Sequence, residues 1–143
     1  MRLHQELPHD DYEHPRFTMK SYYERIKPHW ELEVAAATRA ESNGDPYLAF
    51  RHLERAHILG QNSTWLHIQT HILMMRWGWR QSSSREVTGQ LFRIFGAATK
   101  TAFGLIPAGN TGGSNVSPFR RMPVPRDLQT LMSAARSADQ RSV

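Results

Sequence analysis

The amino-acid sequence predicts an all-α fold: a four-helix, bundle-like domain made of helical hairpins, then an extended Gly/Pro-rich segment and a short last helix. Three observations carry the prediction. Helix start and stop signals divide residues 18–105 into four stretches. Within them the apolar residues gather on one arc when the chain is advanced by about 100° per residue. After Leu105 the composition turns to Gly, Asn, Ser and Pro, which suits loops rather than helices.

Residues 1–17 mix Pro, His and acidic residues without periodicity and read as an irregular arm. Helix 1 is expected from Thr18 or Met19 to Asn43, with Gly44 as its stop. Pro28 implies either a kink or a true start near Lys27. Asp45 and Pro46 supply an N-cap and a first-position proline for helix 2, which Gly60 ends. Helix 3 begins at Asn62 or Ser63 and runs to Trp79. Helix 4 opens with the capping box Ser83-Ser84-Arg85-Glu86 and extends to Leu105. The segment IPAGNTGGSNVSPFRRMPVPRD then crosses the helical surface, and a last helix spans Arg126 to Ala138. The division is therefore an arm at 1–17, a helical domain at 18–105 and a tail at 106–143.

Composition narrows the function. A chain of 143 residues makes one domain. Its 39% hydrophobic and 22% charged content excludes disordered and fibrous classes. With no cysteine, disulfides, thiolate metal sites, iron–sulfur clusters and cysteine nucleophiles are excluded, so any metal must be held by nitrogen and oxygen. The opening MRLHQELPHDDYEHPRF lacks the apolar core of a signal peptide, and no segment offers the roughly 18 apolar residues of a membrane span. A cytoplasmic location without membrane contact is expected. The net charge of +5 raises the question of an acidic partner, but the arginines are spread over helix faces and the tail, so nucleic acid is not expected as one. Trp77 and Trp79 suit either a homodimer face or a core role.

The chemistry lies in three spaced pairs of potential metal ligands: His29 with Glu33, His52 with His57, and His67 with His71. Most fall inside apolar arcs, where a polar side chain costs free energy unless something satisfies it. In helix 3, His67 and His71 share an arc with Ile68, Met74 and Gly78. In helix 2, His52 falls within the arc of Leu48, Ala49, Leu53, Ala56 and Leu59, and His57 lies at its edge. In helix 1, Glu33 is central to the stripe of Tyr22, Ile26, Trp30, Ala36, Ala37 and Ala40, with His29 one turn before it. If helices 2 and 3 form an antiparallel hairpin turning near Gln61 and Asn62, His57 lies level with His67 and His52 with His71. Facing helices build metal sites in this way.

Each feature also has a plainer reading. A buried histidine often just hydrogen-bonds a carbonyl or carboxylate, and the group could form a His-Glu network without an ion. Glu33 could pair with Arg25, Arg39 or a histidine. Glu54 and His57 make a single Glu-x-x-His, the spacing of di-iron carboxylate proteins, with Glu54 pointing largely outward. Met74 and Met75 suit a soft ion or, more simply, core filling. The GNTGGSN stretch suits an anion or a close approach to a site, but is no phosphate loop, because no Lys-Ser/Thr follows and no strand precedes it.

The stretch AFRHLERAHILGQ, the HIQTH of the next helix and the later GNTGGSNVSPFRRMPVPRDL together resemble a bacterial family catalogued as domain of unknown function 3703, from about Tyr23 to Leu131. The resemblance implies a small helical protein in which His52, Glu54, His57, His67, His71 and the 109–115 segment belong to the family pattern. It implies no activity. His4, His9 and His14 lie outside it. The two-helix unit also resembles tetratricopeptide-like hairpins, although no second repeat of about 34 residues aligns, which argues against a solenoid.

The expectation is one or two divalent ions, zinc or iron foremost and manganese, nickel or copper as alternatives, held between helices 1, 2 and 3. His57, His67, His71, His52 and Glu33 are the candidate ligands, with His29 and Glu54 as outer or alternative ones. Such a protein would be a metal-dependent enzyme or a metal-handling protein. The competing expectation is a tetratricopeptide-like interaction module with structural core histidines.

Overall fold

The computed structural model describes residues 21–100 and 108–140, excepting the side chains of 97–100 and 138–140. Among these residues five helices follow one another: α1 (Tyr22–Ser42), α2 (Pro46–Gly60), α3 (Thr64–Arg80), α4 (Ser84–Lys100) and α5 (Arg126–Gln140). No strand occurs among the described residues, and the fold is all-α. No helix among them is long and apolar enough to cross a membrane. The arm at 1–17 with its histidines, the first candidate starts of helix 1 and the expected end of helix 4 at Leu105 lie outside the described residues.

Local chemistry explains the boundaries. At α1, Ser21 and Glu24 form a reciprocal capping box, with Ser21 N–H donating to Glu24 Oε2 at 2.6 Å. The helix therefore starts before Pro28 and runs through it, rather than starting near Lys27. Asp45 Oδ1 accepts from Leu48 N–H at 2.9 Å, and Pro46 occupies the first turn of α2. Ser63 and Ser83 accept from Leu66 and Glu86 N–H at the starts of α3 and α4. The expected capping box at α4 is only half formed: Ser83 N–H donates instead to Gly78 O, and the Glu86 carboxylate turns inward.

α1 packs along α2, α2 along α3, and α3 along α4, while α5 returns across α1 and α2. The main core joins Ile26 and Trp30 of α1 to Ala56, Ile58 and Leu59 of α2, Leu66 of α3, and Leu128, Met132 and Ala135 of α5. A second cluster gathers Ala37, Leu53 and Met74 against Phe50 and Trp77. Met74 is thus core filling. Trp77 lies over Phe50 with ring centroids 4.4 Å apart and donates to Pro46 O, whereas Trp79 is exposed. Burial at this scale is worth about 1.5–3 kcal/mol for each large apolar side chain.

Candidate metal centre

Three of the predicted histidines meet. His57, in the last turn of α2, faces His67 and His71, which stand one turn apart on α3. All three are buried, at 2%, 5% and 2% exposure. Their Nε2 atoms form a small triangle: His57 to His67 2.8 Å, His67 to His71 3.1 Å, and His57 to His71 3.2 Å. No other His, Asp or Glu among the described residues joins this group.

The outward nitrogens are held from behind. His57 Nδ1 lies 2.8 Å from the carbonyl oxygen of Asn110. A carbonyl only accepts, so Nδ1 carries the proton and, in the neutral ring, Nε2 presents a lone pair to the triangle. Burial pushes the His57 imidazole well below its usual range, and the neighbouring His71 and His67 push it further. Burial likewise lowers His67 to about 4 and His71 to about 3, with Arg93 adding to both effects. Three neutral rings with converging nitrogens are the donor set that a cation takes.

The strap between α4 and α5 roofs this group. Asn110, 2% exposed, donates through Nδ2 to Ser117 O and Arg120 O, and accepts from Gly112 N–H through Oδ1. Its main-chain oxygen also accepts from Gln61 Nε2 at 2.8 Å, while Gln61 Oε1 accepts from Gly109 N–H. Gly112 has φ +80°, and a Cβ there would stand 2.6–2.8 Å from Cδ2, Cγ and Nε2 of His57. Only glycine permits both the backbone and the approach. Arg93 donates to Gly113 O and Val116 O, and Glu86 accepts from Ser114 N–H and from its hydroxyl.

The remaining candidates stand elsewhere. His52 does not face His71; its Nδ1 lies 2.7 Å from Glu33 Oε2, while Arg55 donates through Nε to Glu33 Oε1 at 2.8 Å and through Nη2 to Asp127 Oδ2. The reason is rotational: α1 lies on α2, so the α2 face that carries His52 meets Glu33, while the face carrying His57 meets α3. Periodicity puts His52 inside the apolar arc of helix 2 and His57 at its edge; the structure reverses this order, with His57 buried and the side chain of His52 26% exposed. His29 is half-buried on α1, outside the group. Glu54 is half-buried rather than outward, and burial raises its carboxyl above the usual range. Thr111 Oγ1, buried without completing a hydrogen bond of good geometry, stands beside Glu54 and offsets that rise, as does Arg51, while Glu86 adds to it. Glu54 and Glu86 share a cleft of about 520 Å³ with Phe50, Trp77 and Ser114.

Sequence reasoning missed Gln61, Glu86, Gln90 and Asn110 as supports of the site. Only the GNTGGSN stretch gave a signal, as backbone fit for close approach. Gln90 gave none, because a single glutamine in a helix has no distinguishing spacing.

Searches of the curated proteins and of the solved structures return no significant match. Residues 24–132 match a family described as a protein of unknown function (DUF3703). That span holds all three histidines, Gln90 and the strap that roofs them, and the chain belongs to this family.

Proposed function

We propose that the protein binds one divalent metal ion, zinc or iron, through Nε2 of His57, His67 and His71. The observation that carries this reading is the triangle of three nitrogens, 2.8–3.2 Å apart, among imidazoles that burial keeps unprotonated. A hydrogen-bonded cluster needs a proton between each such pair, and His57 has given its own to Asn110 O. An ion resolves the surplus of lone pairs. A triangle with these sides has a circumradius of about 1.8 Å, inside the usual zinc–imidazole length of about 2.0–2.1 Å, so all three nitrogens would reach a single ion. Tetrahedral coordination spaces such nitrogens about 3.3 Å apart, so only a small outward relaxation is needed.

Three neutral nitrogens favour zinc, iron, nickel or copper over manganese, which prefers oxygen ligands. A site with three protein ligands leaves a position for water or a small substrate, the arrangement of metal-assisted hydrolysis and, with iron, of oxygen chemistry. Elemental analysis of untagged protein after reconstitution tests the reading, beside a His67→Ala, His71→Ala variant. About one ion per chain in the wild type, lost in the variant, is expected. Failure of zinc, iron, nickel, copper and manganese alike to bind would return the histidines to a structural core and favour an interaction module.

A further inference from the structure

We infer that Gln90 is the positioning residue of the metal site: it fixes His71 in the tautomer that can bind an ion, and the strap fixes Gln90. The inference rests on the metal reading for its purpose but not for its geometry. Gln90 is fully buried, and its two amide ends have different partners. Its Nε2 lies 2.6 Å from Glu86 Oε1 and 2.8 Å from Gly112 O. Gly112 O is a carbonyl and only accepts, so the nitrogen end of the amide must face it. The oxygen end, Oε1, is thereby turned to His71 Nδ1, 2.6 Å away. An amide oxygen also only accepts. His71 therefore carries its proton on Nδ1 and presents a lone pair at Nε2, as His57 does through Asn110 O.

Without that constraint His71 could place the proton on Nε2, pointing at His67 and His57, and satisfy the triangle as an ordinary hydrogen-bonded cluster. Gln90 removes this option. Glu86 is itself held by Ser114 N–H and the Ser114 hydroxyl, so both acceptors that orient Gln90 are tied to the 112–114 stretch. One strap thus sets the tautomer of two ligands on two different helices: His57 directly and His71 through Gln90. Ion affinity becomes a property of the docked strap as well as of the histidines.

The test uses the full chain, free of metal, with 15N-labelled histidine, and reads tautomers by long-range nitrogen–proton NMR. Wild type is expected to show His57 and His71 protonated at Nδ1. Gln90→Leu, close in volume and unable to accept, is expected to move the His71 proton to Nε2 and to weaken zinc binding about 10–100-fold. Gln90→Glu restores an acceptor and is expected to return the proton to Nδ1 even if stability falls. Ser114→Ala, which removes the hydroxyl donor to Glu86 but keeps the backbone N–H, is expected to weaken zinc binding less than Gln90→Leu. A His71 that keeps its proton on Nδ1 in Gln90→Leu overturns the inference, as does a wild-type His71 protonated at Nε2. If His71 switches tautomer as expected but wild type takes up no zinc, iron, nickel or copper, the metal reading fails and tautomer control by Gln90 stands.

Discussion

Replacing Gly112 by alanine separates the contribution of the strap's close approach from that of its backbone conformation. Gly112 and Gly44 have nearly the same φ, +80° and +79°, but a Cβ at Gly44 meets nothing within 4 Å while one at Gly112 lies 2.6–2.8 Å from the His57 ring. The left-handed conformation costs an alanine about 1–2 kcal/mol at either position. At Gly112 the ring or the strap must also shift. His57 Nδ1 is tied to Asn110 O and Gly112 O to Gln90, so a shift weakens at least two buried hydrogen bonds at about 1 kcal/mol each. Gly112→Ala should therefore cost about 3–4 kcal/mol and Gly44→Ala about 1–2 kcal/mol. At about 4 °C per kcal/mol for a chain of this size, the melting points should fall by about 12–16 °C and 4–8 °C. Zinc titration should show Gly112→Ala weakened and Gly44→Ala unchanged. Equal melting points for the two variants, with equal zinc affinity, would refute the claim that the strap positions His57.

Three further outcomes are expected. In metal-free protein the folded-state pKa values of the three histidines lie below their unfolded value near 6.5, so the unfolded chain takes up more protons and stability falls as pH drops below 6.5. His67, at about 4, should by itself remove about 3 kcal/mol between pH 6.5 and 4, readable in urea unfolding midpoints; a flat profile would contradict the burial of neutral imidazoles. Asn110→Ala removes two donors and an acceptor that hold the strap and should cost about 2–4 kcal/mol by thermal unfolding, with weaker zinc binding; a near-neutral effect would mean that the strap is held by other contacts. Glu33→Gln and His52→Ala disturb an ion-pair network outside the triangle and should leave metal stoichiometry unchanged by elemental analysis; metal loss in either would place those residues at the ion.

Much of the fold was legible because helix ends are written in local chemistry. Asp45-Pro46 and Ser63 act within their own turns, so the starts of α2 and α3 follow from spacing. The start of α1 was obscured because Pro28 draws attention to a break, while the Ser21–Glu24 box is strong enough to launch the helix before it. Glu86 misled in the opposite direction: its spacing from Ser83 fits a capping box, but its carboxylate finds Ser114 and Gln90, which are distant in sequence.

For the site, the sequence by itself determined the donors: no cysteine, and histidines at helical spacing on two helices joined by a short turn, which placed His57 opposite His67. Only the tertiary structure decided which of them converge. Helix rotation is set by the whole packed surface, so α1 drew His52 toward Glu33 and left His57 to meet both histidines of α3. Tautomers, too, lie beyond one-dimensional spacing. They depend on which oxygen stands behind each ring: Asn110 O arrives, and the Gln90 amide is oriented, only when a strap about 30 residues downstream of α3 has folded back over the hairpin.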